Sequence, residues 1–185
     1  VIETDVDYAV QLLEESGWED TDGDGIREKD GEKLAFNLMY FAGDSMRQAV
    51  AMSVANQAKE NMGFDITVEG VSADDTIKRM FSEPMIMGWG SDSPMTSYML
   101  FDSSNAGKTD FYNPEFYTNE KTDEYLEKAM SSLSIEDSYE WWKKAQWDGE
   151  TGTCMRGEAP WAFYVNMTHL YYVKDGLNIG KQRIH

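Results

Sequence analysis

The chain has 185 residues, of which 41% are aliphatic, aromatic or sulfur-containing, and it carries 34 acidic against 16 basic side chains. A chain of this length can bury a core without disulfides or a structural metal, and its formal net charge of −18 excludes the basic classes that bind nucleic acid or anionic membranes. Cys154 is the only cysteine, so neither an intramolecular disulfide nor a CxxC metal or redox motif can form.

Capping residues and apolar periodicity predict a first helix and the loop that follows it. Asp5 is placed to cap a helix whose apolar residues recur at helical spacing, and Gly17 suits the left-handed position at its end. An acidic loop punctuated by glycines follows over residues 19–31.

The next segment predicts a strand, a helix and a second strand. Apolar residues alternate over 34–40 and again over 64–68, which is typical of strands with one buried face. Between them a helix begins at Asp44 or Ser45 and is ended by Gly63. Because the connections are tight, the two strands are expected to pair in parallel through a right-handed crossover.

The remaining sequence predicts helices, loops and further strands. The predicted elements are a helix from Ser72 to about Phe81, a central strand at Met85–Trp89, a helix from Ser93-Pro94 to Phe101, a loop over 102–118, helices over 119–132 and 135–147, and strand-like runs over 161–166 and 169–173. Together they predict an α/β fold, a mixed sheet with helices on both faces. Residues 1–185 are expected to be one domain or lobe, cut at both ends from a longer polypeptide.

Three stretches, in this order, are distinctive as a set. They are Leu12–Trp18 (LLEESGW) continuing into Asp20–Gly31 (DTDGDGIREKDG), Gly88–Pro94 (GWGSDSP), and Tyr112–Glu115 (YNPE) with a later Ala159–Trp161 (APW). With these motifs the chain resembles the family 5 solute-binding proteins, the peptide and nickel receptors of ABC importers. It departs from that family in having one residue between Asp92 and Pro94, where relatives usually have two or three, and in a Gly-rich insertion over 147–157.

The resemblance implies a periplasmic-binding-protein-like fold of class II, in which residues 1–185 are the C-terminal lobe of a larger two-lobed protein. A peptide or other small solute would be captured between this lobe and the missing N-terminal lobe, and hinge closure would present it to ABC permease subunits. The resemblance further implies an extracytoplasmic location, in the periplasm or as a lipoprotein anchored at the cell surface. It implies no enzymatic activity and no required cofactor.

The segment that contains Asp92 is the candidate ligand-binding site, together with Trp89, Gly90 and Ser91. It follows a predicted parallel strand, and open α/β sheets bind ligands at the C-terminal ends of their strands. The resemblance assigns Asp92 a charge pair with the α-ammonium of a peptide, with Trp89 as an apolar wall beside it. The alternative is that Asp92 caps the helix that starts at Pro94 and that Trp89 is ordinary core.

The acidic loop is a candidate calcium site. Asp20, Asp22 and Asp24 alternate around a glycine turn as in the first half of a calcium-binding loop, and Glu28 or Asp30 could complete the ligand set. The EF-hand pattern fails at its last position, where a glycine stands in place of glutamate. The alternative is a polar hairpin turn without a metal.

The sequence contains no enzyme motif. His169 and His185 are the only histidines, and HExxH, GxSxG, P-loop and GxGxxG patterns are absent. Phe111 and Tyr112 are loop aromatics that are expected to line a cleft. The remaining alternatives for function are a receptor for nickel or another metal chelate, a carbohydrate-active enzyme with a carboxylate pair, and a calcium-stabilised surface domain.

Overall fold

The computed structural model describes residues 4–89, 93–108, 111–165, 172–178 and 180. The chain forms two compact units, Val1–Gly88 and Trp89–His185. The helices are α1 (Val6–Glu15), α2 (Ser45–Met62), α3 (Ala73–Arg79), α4 (Met95–Phe101), α5 (Glu120–Ser131) and α6 (Ile135–Gln146). The strands are β1 (Glu28–Lys29), β2 (Glu32–Lys33), β3 (Ala35–Phe41) and β4 (Asp65–Val71). Among the described residues, every helix is too short or too polar to span a bilayer.

The first unit contains the predicted strand–helix–strand motif. β3 and β4 pair in parallel, in a register that runs from Ala35 opposite Asp65 to the last residues of both strands. The Asp44 carboxylate caps α2 by accepting the Arg47 N–H at 2.9 Å, and Gly63 ends the helix with a φ of 71°. The prediction of a parallel pair joined by a capped helix is therefore confirmed.

Small and apolar side chains from β3 and α2 form the core of this unit. Leu38, Ala51 and Ile86 are buried together, and Met39 has no exposed surface. The buried residues of α2 are all alanines, which let the helix lie close to the two strands.

The predicted central strand at Met85–Trp89 forms only at its start. Met39 donates its backbone N–H to the Pro84 carbonyl at 2.9 Å and accepts from the Ile86 N–H at 2.8 Å. These two bonds make one parallel bridge between Met39 and Met85. Residues 84–86 thus lie beside β3, a few positions before the candidate binding segment in the sequence.

The Arg27 side chain ties the acidic loop to the two long helices of the first unit. Its guanidinium donates to the Trp18 carbonyl at 2.8 Å, to the Met62 carbonyl at 3.1 Å and to the Glu14 carboxylate at 3.2 Å. Residues 28–33 then form the short antiparallel hairpin of β1 and β2. The acidic loop therefore continues into a short hairpin.

The second unit is built on the helices α4, α5 and α6. Asn119 caps α5 through the Thr122 N–H at 2.9 Å, and Ser134 caps α6 through the Asp137 N–H at 3.1 Å, as their sequence patterns predict. The buried core residues of this unit are Leu100, Phe101, Tyr117, Tyr125, Leu126, Ala129, Trp142 and Ala145.

A fully buried asparagine organises the loop that joins α4 to α5. The Asn113 amide donates to the Asp102 carbonyl at 3.1 Å and to the Tyr117 carbonyl at 2.7 Å, and its oxygen accepts the Tyr117 N–H at 2.8 Å. Phe111, Asn113 and Phe116 all have positive φ values, of 65°, 36° and 55°. Non-glycine residues rarely adopt this conformation, so the buried amide stabilises a strained loop.

The strand predicted over 161–166 is wrong where the structure describes it. Residues 161–165 are irregular, and residues 166–171, which include His169 and most of the last predicted strand, lie outside the described residues. Within the described residues of the second unit there is no strand to accept backbone hydrogen bonds from this segment. The side chain of Trp161 packs against the helical core instead.

Replacing Asn113 with alanine should lower the free energy of unfolding by about 2–3 kcal/mol, because two carbonyls and one N–H would lose their partner inside the protein. Urea unfolding followed by far-UV circular dichroism measures the change. Asn61, an exposed asparagine on α2 whose amide bonds only its own helix, provides the control Asn61→Ala. Equal losses in the two variants would contradict the role given to Asn113.

Candidate functional site

The candidate binding segment is only partly described by the structure. Gly90, Ser91 and Asp92 lie outside the described residues, whereas Trp89 precedes them within the second unit. Helix α4 begins after Pro94 without a side-chain cap at that position. The backbone N–H of its first residue, Met95, donates to the Ser93 hydroxyl at 3.3 Å. The Ser93 hydroxyl thus accepts the first N–H of α4.

Trp89 belongs to a group of four aromatic rings, which we call the aromatic wall: Trp89, Phe101, Trp161 and Phe163. Trp161 lies at its centre, with ring centroids 4.7 Å from Trp89, 5.4 Å from Phe101 and 6.3 Å from Phe163. Phe101 is buried in the helical core, whereas Trp89 and Trp161 are half-buried and Phe163 is exposed. The wall therefore extends from the core to the surface, and it includes Trp89, the described residue of the candidate segment.

A buried carboxylate lies beside this wall. Both oxygens of Glu115 are inaccessible to solvent and make no hydrogen bond among the described residues. Burial raises the pKa of Glu115 from 4.5 to about 7, and its own backbone N–H and the nearby Trp161 side chain offset part of this effect. Sequence reasoning missed Glu115 as a site residue, although it had noted the YNPE motif.

The strained loop fixes the position of Glu115. Asn113 anchors the chain before it, and the ring of Phe116, directly after it, packs on Gly107. A Cβ atom at Gly107 would lie 2.5 Å from the Phe116 ring, so only glycine leaves room for this contact. Glu115 thus occupies a position set by its neighbours on both sides.

The Gly-rich segment before Trp161 is fastened to the same region. The Asn119 amide donates to the Thr151 hydroxyl at 2.9 Å and to the Glu158 carboxylate at 2.8 Å. Gly152 has a φ of 135°, and a Cβ there would lie 2.3 Å from the Gln146 carbonyl oxygen. These contacts explain the Gly-rich insertion as a close turn that leads the chain from α6 to Trp161.

In the first unit, the structure brings together three of the four predicted metal-ligating residues. Asp20, Asp22 and Glu28 each place a carboxylate oxygen within 4.8 Å of the others. These carboxylates also hold the loop itself, because Asp20 accepts the Gly23 N–H at 2.8 Å and Glu28 accepts the Thr21 N–H at 2.9 Å. The group has the ligand chemistry of a calcium site, and the same oxygens form a self-bonded turn.

Asp24 is not a member of that group and pairs with a lysine. The Lys33 ammonium bonds the Asp24 carboxylate and also reaches Asp22 at 3.2 Å. Lys33, together with the Ile26 N–H, lowers the pKa of Asp24. The loop therefore carries its own counter-ion, which would compete with a metal for Asp22.

Comparisons with known proteins agree with the resemblance seen in the sequence. The family described as bacterial extracellular solute-binding proteins, family 5 Middle, matches residues 1–111. The oligopeptide-binding protein AppA of Bacillus subtilis is 33% identical over 128 residues, 66% of this chain and 23% of its own length. Protein XP55 of Streptomyces lividans is 30% identical over 173 residues, 92% of this chain and 30% of its own length.

Solved structures show the same architecture. AppA of Bacillus subtilis in complex with a nonapeptide has a TM-score of 0.67 at 29% identity, over 77% of this chain and 29% of AppA. NikZ of Campylobacter jejuni in complex with Ni(L-His) has a TM-score of 0.67 at 25% identity, over 77% of this chain and 29% of NikZ. The predicted periplasmic-binding-protein-like α/β fold is confirmed. The chain spans less than a third of the length of the curated relatives it matches.

The raised pKa of Glu115 predicts that the free energy of unfolding decreases as the pH rises towards neutrality. A carboxyl whose pKa is higher in the folded protein stabilises it below pH 4.5, and this contribution is lost as the pH rises to about 7. We expect Glu115→Gln to gain on the order of 1–2 kcal/mol relative to the wild type between pH 5 and pH 8, after allowance for the partial exposure of the side chain. Urea unfolding at both pH values measures this gain, and Glu127→Gln, on the exposed surface of α5, should show none. Parallel pH profiles for all three proteins would contradict the assignment.

The Lys33 contacts generate a prediction for calcium. We expect the wild type to melt at the same temperature, to within about 1 °C, in EDTA and in millimolar calcium, because Lys33 already pairs with Asp22 and Asp24. In Lys33→Met the carboxylates lose their counter-ion, and calcium should raise the melting temperature by about 2–4 °C. Lys29→Met, in the same hairpin, is the control. A calcium-dependent melt of the wild type would instead favour a resident metal.

Proposed function

We infer the function of this chain from its family, because it belongs to the bacterial extracellular solute-binding proteins of family 5. We propose that it is one lobe of a two-lobed receptor that captures an oligopeptide and delivers it to the permease subunits of an ABC importer. The similar protein AppA was solved with a nonapeptide, and this supports a peptide as the solute.

The observation that supports the proposal is the aromatic wall, which contains Trp89, the residue directly before Gly90, Ser91 and Asp92 in the sequence. Ligand pockets combine apolar and aromatic walls with a few polar groups that fix orientation. Trp89 and Trp161, with centroids 4.7 Å apart, would supply the apolar surface. Asp92 would supply a carboxylate for the α-ammonium of the peptide, since a charge-assisted hydrogen bond orients the ligand without selecting its side chains.

The rest of the functional assignment follows from the same proposal. The receptor would work outside the cytoplasm, in the periplasm or anchored at the cell surface as a lipoprotein. It would need no cofactor and perform no catalysis, in keeping with a family defined by solute binding. Its second wall would come from the missing N-terminal lobe, so a peptide would be desolvated from both sides when the lobes close.

Nickel or a metal chelate is the second candidate cargo. The similarity to NikZ, which was solved with Ni(L-His), supports it at the same TM-score as AppA. The two cargoes place different demands on Asp92, because a chelate has no free α-ammonium once its amine is bound to the metal.

In the full-length receptor, Asp92→Asn should weaken the binding of free-amine peptides at least tenfold. Removing one partner of a buried charge pair costs about 2–5 kcal/mol, mainly because the other charge is left unpaired. N-acetylated peptides carry no ammonium, so their affinity should barely change. Isothermal titration calorimetry with matched free and acetylated peptides measures both effects.

Asp74→Asn removes an exposed carboxylate in the first turn of α3 and serves as the control. An equal loss for both peptide classes would give Asp92 a structural role. Binding of Ni(L-His) without binding of any peptide would favour the second cargo.

A further inference from the structure

Glu115 is a buried acid with no role in the peptide site proposed above. Its two carboxylate oxygens are both buried and lack hydrogen-bond partners among the described residues. An ionised carboxylate in such a place is costly, because burial removes hydration that its own backbone N–H and the Trp161 side chain replace only in part. The rise of its pKa to about 7 expresses that cost.

No cation from the described part of the chain neutralises Glu115. Its pKa is shifted by burial, by its own backbone and by Trp161, and no lysine or arginine contributes to the shift. The lysines of α5 and α6 are engaged with glutamates or aromatic rings. Lys128, for example, pairs with Glu124 and lies 4.6 Å from the centroid of the Trp141 ring. A cation for Glu115 must therefore come from outside the described residues.

The surroundings of Glu115 suit a cation attached to a hydrocarbon chain. Trp161 lies beside the carboxylate, and aromatic faces attract ammonium and guanidinium groups. The wall continues through Phe163, and Phe116 directly follows Glu115 in the sequence. These two rings are 51% and 53% exposed, so apolar surface leads from solvent towards the carboxylate.

The backbone also argues against a purely structural role for this side chain. Phe111, Asn113 and Phe116 hold positive φ values around Glu115, and strain of this kind collects at functional sites. A residue needed only for packing would be better served by an apolar side chain, since replacing buried charges with apolar groups is often neutral or stabilising. The loop instead delivers a carboxylate to the edge of an aromatic wall.

We propose that Glu115 and the Trp161 ring form a subsite for a cationic side chain of the cargo, the guanidinium of arginine or the ammonium of lysine. This inference rests on the proposed function and makes it more specific, because it predicts a preference for basic peptides. Asp92 would hold the α-ammonium, and Glu115 a second positive charge farther along the peptide.

Pairs of peptides that differ only in one charge provide the test. Nine nonapeptides carry a single arginine at successive positions of an alanine–glycine background, and each has a twin with citrulline, which is neutral and nearly isosteric. Calorimetry on the full-length receptor should show tighter binding of the arginine peptide, by at least fivefold, at one position or at two adjacent ones. Glu115→Gln should abolish the difference, and the surface control Glu127→Gln should preserve it.

A direct measurement on the wild type removes the dependence on a variant that could fail to fold. With glutamate ¹³C-labelled at the side-chain carboxyl, NMR titration should show the pKa of Glu115 falling by at least one unit when the arginine peptide binds. The citrulline twin should leave that pKa unchanged or raise it.

The outcomes separate the two proposals. If no peptide binds the wild type, the proposed function fails and the subsite fails with it. If peptides bind but arginine and citrulline are equivalent at every position, the receptor function stands and the subsite is overturned. An arginine preference that survives in Glu115→Gln also overturns it, because another group would then carry the selectivity.

Discussion

The buried amide of Asn113 is the interaction on which the second unit depends. It bonds the carbonyl of Asp102, where α4 has just ended, and both backbone groups of Tyr117, three residues before α5 begins. A single side chain thus joins the end of α4 to the residues just before α5. Because a buried donor or acceptor without a partner is costly, these bonds permit few other conformations of the loop. Its positive φ values and the burial of Glu115 follow from this constraint.

Much of the fold could be predicted because its signals are local. A helix cap needs only a side-chain oxygen and an N–H three residues later, so the sequence itself brings the partners together. The structure places side-chain caps at Asp5, Asp44, Ser72, Asn119 and Ser134, at or next to the residues where these helices are predicted to begin. A strand, by contrast, requires a partner that local sequence does not specify. The segment 161–165 has a strand-like pattern, yet its Trp161 packs into a helical core and no neighbouring strand is described there.

The site was predicted to the extent that it rests on motifs. Trp89 was predicted as a site residue because of the GW motif. The structure adds its contact with the ring of Trp161, which the motif does not reveal because the two residues are distant in sequence. The ion pairs of Lys33 depend on the hairpin register that sets Glu28 opposite Lys33, and that register is a property of the folded chain. Glu115 was missed for the same reason. Its burial comes from contacts with residues distant in sequence, and nothing in the YNPE motif distinguishes a buried acid from an exposed one.

The carboxylates of the acidic loop and the carboxylate of Glu115 have different surroundings. The difference indicates where a bound cation would be stabilised most. In the loop of the first unit, exposed carboxylates bond backbone N–H groups and Lys33, so a further cation there replaces interactions that already exist. At Glu115 in the second unit, no lysine or arginine among the described residues has to be displaced. A cation that reached Glu115 would relieve a desolvated charge, and electrostatic attraction is far stronger in that setting than in water. With a net charge of −18, the protein as a whole attracts cations, but only a buried and unneutralised carboxylate can turn that general attraction into selectivity.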